Sequence, residues 1–157
     1  MAQIAAETDA EPPNPLRLDL QLCFALYSAS NLMTRIYRPL LDPLGLTYLQ
    51  YIALLALWER APQTVGELRQ KLGLDSGTLT PLFKRMESAG LLTRTRDPAD
   101  ERRVIIDLTD KARDLREAAM AVPGSVFCQL PLPIGDAAAL KGLVDRLVEG
   151  LRTGEGR

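Results

Sequence analysis

The chain has 157 residues, 46% hydrophobic and 25% charged, with a formal net charge of -1, an ordinary globular composition that argues against disordered or fibrous classes. Against a prior of roughly 150 residues per domain, this predicts one compact domain with a core large enough to need no disulfide or metal staple. It has no histidine and two cysteines, Cys23 and Cys128, which excludes Ser-His-Asp and Cys-His nucleophile pairs, histidine-containing metal sites and four-thiolate clusters within one chain.

Residues 1–15, with Glu7, Asp9, Glu11 and three prolines, read as a flexible acidic arm and not as a secretory leader. Asp19, or Asn14 with Pro15, opens a helix in which Leu20, Cys23, Phe24, Tyr27, Leu32, Ile36 and Tyr37 recur at helical spacing; Pro39, Pro43 and Gly45 end it. Thr47 caps a second helix that is apolar nearly all round, as central core helices are, and Pro62 stops it. Thr64, with Glu67 three positions on, caps a short third helix. Gly73 makes a turn, and Asp75 or Ser76 begins a fourth helix with Leu79, Leu82, Phe83 and Met86 on one face. Gly90 closes it.

Residues 91–97 and 103–109 read as two strands of a β-hairpin, with PADE as the turn between them. Thr109 caps a helix from Asp110 to about Ala121. Pro123 and Gly124 break the chain, and SVFCQLPLPIG carries too much proline for a regular element. Asp136 then caps a last helix through Leu151, followed by a polar tail at 153–157. The longest apolar stretch, from Tyr48 to Trp58, is too short to span a bilayer. The reading is a cytoplasmic protein with no membrane partner, no metal and no cofactor, whose thiols stay reduced unless they have a redox task.

Short helix, glycine turn, second helix and hairpin, in that order, make a winged helix-turn-helix. With Leu68, Leu72, Leu79, Leu82 and Phe83 buried, the second helix turns Ser76, Thr78, Thr80, Lys84 and Arg85 outward. Small polar groups there approach base edges, and the cations reach phosphates. Residues 76–96 hold Lys84, Arg85, Arg94 and Arg96 against Glu87 alone, a local charge of +3 within a chain of charge -1. Taken singly these charges are a solvated face; combined with the helix-turn-helix order they point to DNA.

DERRVIIDLT, residues 100–109, resembles the wing signature of the multiple-antibiotic-resistance-regulator (MarR) family, D-x-R followed by a strand and L-T. The leading helices, LDSGTLTPLFKRMESAGLL and the trailing helices fit it as well, so the likeness spans residues 16–152. It implies a mainly α fold with a small β-wing (α+β), built as an entwined homodimer on a pseudo-palindromic operator. The winged helix-turn-helix falls at about 47–109, and the dimerisation helices at about 16–39 and 110–152. Asp100 and Arg102 align with the wing motif. Arg103 stands beside them as the other candidate for the minor groove.

Cys23 falls near the start of the first helix, where peptide dipoles and unpaired N–H groups favour an anion. Tyr27 lies one turn on along the same face. By residue type alone Cys23 is a small buried hydrophobe, the tyrosines are core, and Cys128 is a chance cysteine in a loop. The segment from Leu22 to Glu59 also resembles the first two helices of organic-hydroperoxide-resistance regulators, a MarR branch. That resemblance implies that Cys23 is the peroxide-reactive residue, and that Tyr37 and Tyr48 of the partner subunit orient and activate it. Tyr27 and Phe24 then line an apolar pocket, and Cys128 of the other subunit resolves the sulfenic acid as a disulfide.

The resulting expectation is a homodimeric, non-enzymatic repressor that leaves its operator when an organic hydroperoxide oxidises it. Besides an architectural DNA binder with inert cysteines, two rivals share parts of the pattern. One is a MarR-type repressor released by a reversible phenolic ligand. The other is a thiol peroxidase, which leaves the helix-turn-helix unexplained.

Overall fold

A computed structural model of the chain describes residues 14–154; most of the expected acidic arm, and residues 155–157 of the tail, lie outside them. The fold is mainly helical with one small antiparallel sheet. Two compact units divide it, one ending at Arg35 and the other beginning at Ile36.

The first unit holds a 3-10 turn, Leu18–Leu20, and most of helix α1, Leu22–Leu41. Asp19 does not cap α1. It sits inside the 3-10 turn and pairs with Arg17, and the Gln21 carbonyl accepts the first bonds of the helix, from Phe24 and Ala25. Asn14, the competing start, caps only the preceding turn, accepting the Leu16 N–H at 3.0 Å. Leu16, Leu18, Leu20, Leu22, Phe24, Tyr27 and Leu32 all remain exposed.

The second unit begins inside α1, which runs through Pro39 to Leu41 and not to a stop at the proline. A proline near a helix C-terminus forfeits one intrahelical bond, and the fully buried Leu41 anchors the last turn. A 3-10 turn then leads to Gly45, whose φ of +66° is the left-handed geometry glycine tolerates. Helix α2, Tyr48–Glu59, opens on a reciprocal capping box between Thr47 and Gln50. It buries Tyr51, Ala53, Leu54, Ala56 and Leu57, so it is the centre of the core. The Trp58 indole N–H donates to the Ala112 carbonyl at 2.9 Å.

Strand β1, Gln63–Thr64, pairs antiparallel with β3 and makes the sheet three-stranded, order β1-β3-β2. Two residues carry no period of their own; β1 exists because β3 passes beside it. Helix α3, Val65–Leu72, opens on the Thr64–Glu67 capping box and ends at Gly73, φ +65°. Asp75, not Ser76, caps helix α4, Ser76–Ser88, accepting the Thr78 N–H at 2.9 Å. Leu79, Leu82, Phe83 and Met86 are fully buried, each worth about 1.5–3 kcal/mol of apolar transfer.

Strands β2, Leu92–Asp97, and β3, Asp100–Leu108, form the wing. The turn is shorter than PADE: only Pro98 and Ala99 lie between the strands, and Asp100 and Glu101 belong to β3. The Asp97 carboxylate accepts the Ala99 N–H at 2.9 Å, holding that turn tight. Thr109 caps helix α5, Asp110–Ala119, as its sequence predicts.

Pro123 and Gly124 do not break the chain. They lie within a short helix, α6, Ala121–Phe127. Pro123 is the third residue of that helix, where a backbone N–H has no intrahelical acceptor and its loss costs little, and Val122 and Val126 are buried one turn apart. Cys128 is therefore the C-cap of a helix and not part of an irregular loop, its N–H bonded to the Gly124 carbonyl. Helix α7, Ile134–Thr153, follows Pro133; Asp136 sits in its first turn and is not its cap. None of its residues is buried, and Ile134, Leu140, Leu143, Val148 and Leu151 are exposed.

Candidate nucleic-acid interface and thiol site

The helix-turn-helix is α3, the Gly73 turn and α4, flanked by the β2–β3 wing. Apolar packing of Leu68, Leu79, Leu82 and Phe83 leaves Ser76, Thr80, Lys84 and Arg85 exposed on α4. Thr78 differs. It is half-buried, and its hydroxyl donates to the Asp75 carboxylate at 2.8 Å while its N–H donates to the other oxygen. Those two bonds hold the Asp75 carboxyl below the usual carboxylate range. Thr78 thus secures the start of α4.

Between α4 and the wing lies a basic hollow, lined by Ser76, Thr80, Arg69, Arg94, Arg102 and Arg103 among others. Arg69 and Arg94 were not among the sequence candidates. Arg94 counted only towards local charge, and Arg69 is recognisable only as lying off the Leu68–Leu72 face of α3. Arg94 is held in place by Glu87 at 2.8 Å. On β3, one oxygen of Asp100 accepts the Arg102 backbone N–H at 3.1 Å and lies 3.5 Å from its Nε, and the other lies 3.4 Å from Arg103 Nε. Such exposed pairs add little stability; their effect is to limit where the two guanidinium groups point. The Arg102 side chain is 95% exposed.

Both cysteines are free and exposed. Cys23 is the second residue of α1, closer to the helix start than an Asp19 cap would have placed it. In the same unit, Phe24 follows it directly, and Tyr27 lies one turn on, both exposed. In the second unit Tyr37 and Tyr48 are brought together, ring centroids 4.9 Å apart, and Tyr51 joins them at 5.8 Å from Tyr37. Tyr51 was legible in the sequence only as part of the apolar α2. Burial pushes the phenols of Tyr37, Tyr48 and Tyr51 up from the ordinary tyrosine value. Like any phenol at neutral pH, all three keep their protons and can donate a hydrogen bond.

A cavity of about 330 Å³ lies beside Tyr51, walled by Leu55, Trp58, Ala119, Met120 and Pro123, with Arg116 and Glu59 also on its lining. Among the described residues no cluster of histidine, cysteine or carboxylate side chains is arranged to hold a metal. No single described helix is long and apolar enough to cross a membrane.

Residues 35–118 match the family model described as transcriptional regulator SarA/Rot. The organic hydroperoxide resistance transcriptional regulator of Bacillus subtilis is 47% identical over 136 residues, covering 87% of this chain and 92% of that protein. Two solved structures of AbfR, a protein of Staphylococcus epidermidis, are also similar. The reduced protein bound to DNA is 37% identical with a TM-score of 0.75, covering 87% of this chain and 94% of that one. The disulfide-formed protein is 39% identical with a TM-score of 0.59, covering 84% and 93%.

Proposed function

Because the chain belongs to the MarR family of transcriptional regulators, in its organic hydroperoxide resistance branch, we propose that it is a homodimeric repressor switched off DNA by oxidation of Cys23. The carrying observation is the Tyr37–Tyr48 pair: two phenol rings with centroids 4.9 Å apart, their pKa values raised further by burial, in a chain whose only thiols are Cys23 and Cys128. The tyrosines that serve a given thiol come from a second copy, as the resemblance to organic hydroperoxide resistance regulators implies. The exposed leucines of residues 16–32 and of α7 supply apolar surface for that copy to cover. In this reading the dimerisation helices are about 16–39 and 110–152, and the winged helix-turn-helix is about 47–109.

Reduced, the dimer sets Ser76, Thr80, Lys84 and Arg85 of each α4 into the major groove and a wing arginine, Arg102 or Arg103, into the adjacent minor groove. Thr78 acts through Asp75, and Asp100 aims the two arginines. The partner's tyrosine hydroxyls donate to the Cys23 thiolate and hold it in position, with Phe24 and Tyr27 as apolar walls. The thiolate attacks the outer oxygen of an organic hydroperoxide; the O–O bond breaks, an alkoxide leaves and takes a proton to become the alcohol, and Cys23 becomes a sulfenic acid. The Cys128 thiol of the other subunit then displaces water, forming the disulfide. A covalent link across the dimer changes the spacing of the two reading heads and releases the operator. Reduction by a cellular thiol restores it. The disulfide-formed and DNA-bound states of AbfR support a switch of this kind.

Electrophoretic mobility shift with an operator fragment tests it. Peroxide is expected to release the reduced wild type, Cys23→Ser to stay bound, and Cys128→Ser to oxidise without forming an intersubunit link visible on a non-reducing gel. Peroxide-induced release of Cys23→Ser overturns the mechanism. The cavity beside Tyr51 supports one alternative, a reversible aromatic carboxylate seated on Trp58 with its charge met by Arg116; such a ligand releases both cysteine variants alike.

A further inference from the structure

The α7 helix ends at the reading head. An ideal Cβ placed on Gly73 would lie 3.0 Å from Nη2 of Arg152, so the guanidinium of the last turn of α7 rests against the bare backbone of the turn between α3 and α4. Gly73 is itself bound to the Arg69 carbonyl at 3.0 Å, and Arg69 and Ser76, on either side of the turn, both line the basic hollow. The turn thus joins the two helices that carry those lining residues. Arg152 is exposed, and among the described residues no carboxylate pairs with it and no carbonyl accepts a hydrogen bond from it. An unpaired guanidinium held against a glycine does little for the fold. Beside that turn it has an evident acceptor: in helix-turn-helix complexes the first helix crosses the backbone and the second enters the groove, which brings the turn to the phosphates.

We infer that Arg152 is a DNA-phosphate contact supplied by the C-terminal helix, with Gly73 keeping the space its guanidinium occupies. The inference rests on the DNA-binding reading above and adds a site that the helix-turn-helix and wing do not contain. It also makes affinity sensitive to where the end of α7 lies.

The test is operator affinity of the full-length reduced protein across a salt series, for wild type, Arg152→Gln, Arg152→Lys and, in parallel, Arg102→Ala. Each lost phosphate contact flattens the slope of log K against log salt by about 0.9, so a dimer losing two is flatter by about 1.8. Between about 50 and about 200 mM salt, wild type should therefore lose about tenfold more affinity than Arg152→Gln. Arg152→Lys should restore the slope, and the losses should be equal on operator and random DNA. Weaker binding with an unchanged slope, or no change, overturns the inference, because a residue that only props the turn leaves the ion count untouched. A flat Arg152→Gln response beside a changed slope in Arg102→Ala sinks Arg152 alone; a wild type with no salt-dependent binding sinks the DNA-binding reading itself. Thermal unfolding of each variant separates loss of contact from loss of fold.

Discussion

The rings of Tyr37 and Tyr48 meet with centroids 4.9 Å apart and planes tilted by 55°. One residue closes on the end of α1 and the other is the first residue of α2, so the 3-10 turn and Gly45 between the helices set the pair. If their hydroxyls serve the thiolate of a partner's Cys23, Tyr37→Phe and Tyr48→Phe should each slow its oxidation. A charge-assisted hydrogen bond is worth about 1.5–3 kcal/mol, which corresponds to roughly 10- to 100-fold in rate. Stopped-flow loss of free thiol with an alkyl hydroperoxide measures it. Unchanged rates in both single variants and in the double variant exclude the role.

Asp100 restrains both wing arginines. Arg102→Ala and Arg103→Ala should each weaken operator binding, and the one that enters the minor groove should cost about 1–3 kcal/mol and relax sequence preference at the positions it reads. Asp100→Asn removes a negative charge from the interface and frees both side chains, so affinity for random DNA should rise and the ratio of operator to random affinity should fall. Competition binding against the two DNAs gives that ratio; a ratio unaffected by Asp100→Asn shows that the carboxylate orients nothing.

The α3 capping box carries a pH signature. Hydrogen bonds from the Thr64 backbone N–H and hydroxyl, then from Arg60, lower the Glu67 carboxyl from 4.5 to about 2. A group whose pKa is depressed in the fold stabilises it above the unfolded value and loses that contribution as pH falls. The difference in melting temperature between wild type and Glu67→Gln should thus be constant above 4.5 and close as pH falls from 4.5 towards about 2. A difference that stays constant through that window means the charge contributes nothing.

Gly73 and Gly90 both hold left-handed backbone, φ +65° and +68°. Alanine at either should cost about 1–2 kcal/mol from conformation alone. The atom nearest a Cβ at Gly73 is the flexible end of Arg152, and nothing lies within 4 Å at Gly90, so the two losses should be similar in denaturant melts. A much larger loss at Gly73 would mean that the Arg152 contact is rigid.

Much of the fold was legible because its signals are local. Thr47, Thr64 and Thr109 cap the helices they were expected to cap, and Gly73 ends α3. Capping depends on residues three apart, which sequence order already places together. The misreadings share the opposite cause. Strand β1 depends on partners more than forty positions away, Gln63 on Ile106 and Thr64 on Ile105 of β3. The proline signal that argued for a break at Pro123 was outweighed by the burial of Val122 and Val126. Asp19 and Asp136 look like caps by composition, but the chain starts each helix elsewhere.

The candidate site divides in the same way. The outward polar face of α4, the +3 stretch and two cysteines without a histidine are properties of the chain as written, because helical periodicity and counting need no third dimension. Arg69 and Arg94 beside the wing arginines, Tyr51 beside Tyr37, and Arg152 against Gly73 are not. Those neighbours come from different elements, and only the packing of α2, α3, α4 and the sheet around one apolar core decides which surfaces face each other. Counting at the outset narrowed the chemistry to thiols and a local basic patch; the tertiary structure decided which phenols stand together and which arginines line the basic hollow.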